Sequence, residues 1–119
     1  MKVSAMFAHN ISIRPVGKTI TLRVQDTIIV KTERALELRE PPLVPVYYVP
    51  RDDVFMEHLQ PSKHKTNCPF KGEASYYHVK IGEDIFENAA WCYDSPPDEV
   101  AEIKGFIAFY DSVVQADDI

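Results

Sequence analysis

Residues 19–24 read Thr-Ile-Thr-Leu-Arg-Val, and residues 27–32 read Thr-Ile-Ile-Val-Lys-Thr. In the first stretch Ile20, Leu22 and Val24 recur at every second position, which is the period of a strand with one buried face. The second stretch is a β-branched run that suits a pleated surface. Asp26 punctuates the two. This pair of segments predicts antiparallel β structure, and the rest of the chain is read outward from it.

Upstream, residues 11–14 (ISIR) alternate in the same way. Downstream, residues 35–39 read as a strand or a short helical turn, and residues 46–49 (VYYV) as a strand bounded by Pro45 and Pro50. Residues 74–81 alternate, residues 85–93 read as another strand, and residues 106–110 as a final one. Nine prolines outnumber four glycines, and their clusters at 41, 42, 45 and 50 and at 96 and 97 mark joints between elements. Two short helices are expected. The first starts at Asp52 or Asp53 as cap, carries Val54, His58 and Leu59 on one side, and ends at Pro61. The second starts at Ser95-Pro96-Pro97-Asp98, buries Val100 and Ile103, and ends at Gly105. Residues 62–72 show no periodicity and read as a long loop.

With 119 residues, the chain is long enough for one domain over residues 1–119 with a real core. No apolar run approaches the roughly 20 residues needed to cross a bilayer, and residues 1–8 lack the apolar stretch of a signal peptide. Two cysteines, Cys68 and Cys92, are too few for a secreted disulfide scaffold, so a reduced cytoplasmic setting is expected. The net charge is −5, but it is unevenly spread. The window 61–72 holds Lys63, Lys65 and Lys71 with His64 and no acid, so it carries +3 and leaves −8 elsewhere. That balance excludes a general binder of duplex nucleic acid, which needs a broad basic face, yet it permits one local anion site.

Several phrases carry a family resemblance. They are Tyr48-Val49-Pro50-Arg51-Asp52-Asp53-Val54, then Thr66-Asn67-Cys68-Pro69-Phe70-Lys71-Gly72-Glu73-Ala74 with Tyr76 and Tyr77, then Asn88-Ala89-Ala90-Trp91 with Tyr93, and Ile103-Lys104-Gly105-Phe106-Ile107-Ala108-Phe109-Tyr110. In this order the chain resembles domain of unknown function family 427, also labelled nucleotidyltransferase-like, over about residues 11–114. The resemblance implies a compact, mainly β, β-tent-like fold of antiparallel sheets, related in topology to methionine-R-sulfoxide reductases and translationally controlled tumour protein. It implies no established activity. The family's usual residue between Trp91 and Tyr93 is a small hydroxyl, and Cys92 departs from it, which speaks against chemistry at Cys92.

The candidate site centres on residues 62–72. Lys71, Lys63, His64 and Thr66 would hold a phosphate or carboxylate, and Gly72 would let backbone approach it. Arg51, Tyr48, Tyr76 or Tyr77, Trp91 and Tyr93 would line a cleft whose mouth is this loop. The leading expectation is therefore a small anionic ligand, a metabolite or nucleotide. Two rivals stand beside it. One is a non-catalytic protein-interaction module. The other is an enzyme with Cys68 as nucleophile, His64 as base and Asp53 or Glu73 as supporting acid, the loop folding back to lower the thiol pKa. His64, Cys68, His78 and Cys92 are metal-ligand types, but the paired knuckles of structural zinc are missing, so no metal or cofactor is expected.

Overall fold

The computed structural model describes residues 10–118, so the reading of residues 1–8 lies outside the described residues. Among the described residues ten strands form three antiparallel sheets, and the mainly β, antiparallel architecture expected from the sequence is what the chain adopts. The first sheet orders β1 (Ser12–Pro15), β4 (Leu36–Arg39) and β5 (Val46–Tyr48). The second orders β10 (Gln115–Asp118), β2 (Ile20–Val24) and β3 (Thr27–Thr32). The third orders β6 (Leu59–Cys68), β7 (Gly72–Ile81), β8 (Asp84–Tyr93) and β9 (Ile107–Phe109).

The period-two stretch at residues 19–24 supplies β2, the central strand of its sheet, and Ile20, Leu22 and Val24 are buried. Its hairpin to β3 turns at Gln25 and Asp26, with Gln25 in the left-handed region (φ 55°). These residues pack with Ile29, Val30, Val49, Val79, Ala90 and Ile107 in one core cluster. A second cluster gathers Leu38, Tyr48, Ala74, Tyr93, Val100, Ile103 and Ala108. A bridge between Val49 and Ile107, with N–H···O distances of 2.9 and 2.8 Å, ties the first sheet to the third. It also fixes Tyr48 beside β8 and β9.

Three expectations are corrected. The two helices are only 3-10 turns, at Arg51–Asp53, Met56–His58 and Asp98–Ile103. Pro50 and Pro97 stand at the cap positions, no aspartate or serine side chain caps them, and Val100 leaves helical φ/ψ inside the last turn. Second, residues 62–72 are not a long loop. Residues up to Cys68 lie in β6 and Gly72 opens β7, leaving a connection of three residues. Strand β6 lies at the edge of its sheet with most of its side chains exposed, so it writes no apolar period. Third, the strand expected at residues 106–110 is not the final one: residues 115–118 form a further strand beside β2. No helix among the described residues is long and apolar enough to cross a membrane.

Candidate functional site

The hairpin between β6 and β7 explains the Cys68-Pro69-Phe70-Lys71-Gly72 phrase. The Cys68 carbonyl accepts the Lys71 N–H at 3.3 Å, closing a tight turn. Gly72 follows with φ +91°, the positive φ that three-residue hairpin connections use after such a turn. A side chain there would also press on the Ser95 carbonyl, since a Cβ would lie 3.2 Å from its oxygen. The turn throws Lys71 inward. Its ammonium donates to Glu40 Oε1 at 2.7 Å, and the two side chains are only 12% and 19% exposed.

Lys71 and Glu40 line a cavity of about 220 Å³ with Leu38, Tyr48, Tyr76, Trp91, Tyr93 and Tyr110. Strand alternation accounts for these rings. Trp91 and Tyr93 sit two apart on β8, and Tyr76 turns toward the second core cluster while its neighbour Tyr77 turns toward the first. Trp91 Nε1 donates to the Tyr48 hydroxyl at 3.3 Å, and the Trp91 and Tyr110 ring centroids lie 4.6 Å apart. Burial pushes the Tyr48 and Tyr93 phenols well above the ordinary tyrosine value, so both stay neutral. Burial raises Tyr110 too, with help from its hydrogen bond to Tyr76.

A larger cavity of about 750 Å³ adjoins this one and shares Leu43, Val44, Val46, Trp91 and Tyr110 with it. Leu22 and Ala116 of the second sheet, Tyr47 of the first and Phe109 of the third also line it, so the cleft opens where all three sheets meet. Among the described residues, its ionic lining is Glu37 and Asp111. Arg39 at 2.8 Å and Arg14 at 3.6 Å already engage Glu37. The hydrogen bond from Arg39, outweighing partial desolvation, holds the Glu37 carboxyl below its usual range.

The sequence-predicted residues divide. Tyr48, Tyr76, Trp91, Tyr93 and Lys71 come together in one cavity. Thr66 and His64 touch it only through Tyr76: the Thr66 hydroxyl lies 3.0 Å from the Tyr76 hydroxyl, and the His64 ring 4.6 Å from the Tyr76 ring. Lys63 and Lys65 are exposed on β6, where Lys65 donates to Ser75 Oγ at 2.9 Å. Gly72 supplies the positive φ of the turn and packs against the Ser95 carbonyl. Arg51 lies elsewhere, over the Tyr77 ring at 5.5 Å and 3.8 Å from Cys92 Sγ. Burial works against the Arg51 guanidinium, yet its bonding to Tyr77 and the nearby Cys92 thiol outweigh that and raise its pKa.

The proposed cysteine constellation is not gathered. In an extended strand, four residues separate His64 from Cys68 by roughly 13 Å, so the fold-back that would pair them does not occur. Asp53 is occupied at the edge of β3. It accepts from the Thr32 hydroxyl at 2.6 Å and from Arg34 at 3.1 Å, and these bonds hold its carboxyl below the ordinary range. Cys68 is half-buried against the second core cluster, and Glu73 is exposed. Burial, aided by Asp94, pushes the Cys92 thiol up to about 11, which leaves it an unreactive neutral group near pH 7. Among the described residues, no group of three or more His, Cys, Asp or Glu side chains could hold a metal ion. His78 instead accepts the Asn88 N–H at 3.0 Å through Nδ1.

Sequence reasoning missed Glu40, Tyr110 and residues 43–46 as cleft lining. Tyr110 closes the last phrase of the family resemblance and could have been found there. Nothing in the sequence marks Glu40 as the partner of a lysine 31 positions away.

These features define an antiparallel β protein with an aromatic-lined cleft at the meeting of its sheets. The chain belongs to the family described as Domain of unknown function (DUF427), whose model matches residues 12–118. No curated protein matches the chain significantly.

Proposed function

We propose that this protein binds a small molecule with a flat, largely apolar body and one anionic group. The body lies along Val46, Trp91, Phe109 and Tyr110, and the anion meets Lys71. The observation that carries this reading is the cation's position: among the described residues, Lys71 is the only lysine, arginine or histidine lining either of two cavities that share five residues. A half-buried ammonium walled by aromatic rings attracts an anion more strongly than the same group in water. The larger cavity, at about 750 Å³, falls within the roughly 300–1,000 Å³ usual for small-molecule sites.

The test uses Trp91, the chain's single tryptophan. A thermal-shift screen of aromatic carboxylates and phosphate monoesters should yield a stabilising hit that also changes Trp91 fluorescence. Lys71→Ala should remove both responses. A hit whose binding is indifferent to Lys71→Ala would overturn the assignment.

A second reading, a protein-interaction module, draws on Leu43 and Val44, which are 65% and 71% exposed at the lip of the cleft. Under that reading no small molecule shifts the melting temperature, and Leu43→Ser with Val44→Ser abolishes capture of a partner protein.

A further inference from the structure

The anion subsite just described is already filled by the protein itself. We infer that Glu40 is a built-in competitor for Lys71, and that residues 40–45 form a latch which a ligand's anionic group must lift. This inference rests on the binding reading above.

The geometry supports it in three ways. Glu40 Oε1 sits 2.7 Å from Lys71 Nζ inside the cavity lining, where a ligand carboxylate or phosphate oxygen would sit. A ligand anion that approaches that ammonium with Glu40 in place meets a carboxylate at the same partly buried site, and the two repel strongly. The Glu40 carbonyl also accepts the Leu43 N–H at 2.9 Å, so the residue that occupies Lys71 anchors the turn carrying Leu43 and Val44. Those two side chains line both cavities yet remain mostly exposed, so little burial holds them down. Pro41, Pro42 and Pro45 stiffen the segment, which favours its moving as one piece. Displacing Glu40 therefore couples anion binding to opening of the lip. It lowers apparent affinity by the fraction of molecules in which Lys71 is free.

The probes are 8-anilinonaphthalene-1-sulfonate, an aromatic body with one anionic group, and N-phenyl-1-naphthylamine, a neutral molecule of the same shape. Both are read by their own fluorescence and by energy transfer from Trp91. Glu40→Gln keeps the shape and a hydrogen-bond acceptor for Lys71 but removes the competing charge. It should tighten sulfonate binding about tenfold and leave the neutral probe unchanged. Lys71→Met should weaken the sulfonate alone. In the wild-type protein, the Leu43 amide should exchange its hydrogen faster when the sulfonate is bound, a measurement that does not depend on any variant folding. Sulfonate affinity unchanged or weakened by Glu40→Gln, or Leu43 exchange unchanged or slowed, would overturn the latch while the cleft reading stands. Failure of the sulfonate to bind both the wild-type protein and Glu40→Gln would overturn the cleft reading, and the latch with it.

Discussion

Two parts of one hairpin carry charge of the same sign in sequence and meet opposite fates in space. The turn at Cys68–Gly72 sends Lys71 inward to Glu40 among tyrosines and a tryptophan. The upstream part of β6, with Lys63, His64 and Lys65, lies on an open sheet edge in water. Pairing with β7 is irregular between Pro61 and Lys65, and His64 rests on the outside of Tyr76. A window of +3 is thus one ion-paired, inward cation and two exposed ones. Charge density along a chain locates a region, but backbone geometry decides which charge enters a low-dielectric site. Lysines on an exposed edge have a simpler use, since they discourage edge-to-edge association.

The largest effect expected from breaking this contrast is at Gly72. Gly72→Val forces a β-branched residue into φ +91° and drives its Cβ to 3.2 Å from the Ser95 carbonyl. Strain of this kind costs about 1–3 kcal/mol, and the clash adds to it. Urea denaturation should show a loss near the upper end, about 3 kcal/mol. A loss under about 0.5 kcal/mol, the range of an ordinary surface change, would mean that the turn can reshape and does not fix Lys71.

Next comes the ion pair. Lys71→Met leaves the Glu40 carboxylate partly buried without its cation, which should cost about 1–2 kcal/mol. Glu40→Gln should cost less, because its amide oxygen still accepts from Lys71. The double-mutant cycle should return a coupling of about 1 kcal/mol. A coupling near zero would place Lys71 with Lys63 among the solvated charges.

How much of this contrast was readable in advance depended on burial. β2 could be read because Ile20, Leu22 and Val24 had to face a core, and burial writes a period of two. β6 could not, because an edge strand in water needs no apolar alternation, and β10 was silent for its polar Gln-Ala-Asp-Asp sequence. The expected helices failed where prolines took the cap positions and Val100 left helical geometry. In the cleft, Tyr48, Trp91, Tyr93 and Lys71 were legible as residue types suited to a mixed pocket. Their convergence with Glu40 was not, since it depends on a hairpin turn and on the bridge between Val49 and Ile107.

Asp53 sharpens the comparison from the acidic side, because it is an engaged charge away from the cleft. The Thr32 hydroxyl, then Arg34, hold its folded pKa below the unfolded value. A depressed carboxylate contributes stability that is present above its unfolded pKa, near 4, and lost as pH falls through the folded value. Wild-type stability should therefore decline below about pH 4. Asp53→Asn should decline less steeply over the same range, measured by thermal unfolding at stepped pH. Parallel acid limbs in the two proteins would mean that Asp53 is as solvated as Lys63.

The smallest effect belongs to Lys63, and its smallness is the point. Lys63→Ala removes a cation from an exposed position on β6 and should change stability by no more than about 0.5 kcal/mol. Sulfonate-probe affinity should stay within about twofold, because interactions between exposed charges are screened within about 10 Å at 0.1 M salt. If Lys63→Ala instead weakened the probe as much as Lys71→Met, the two lysines would act on one anion. The bulged edge of β6 would then have to be counted as part of the cleft mouth, joined to it through His64 and Tyr76.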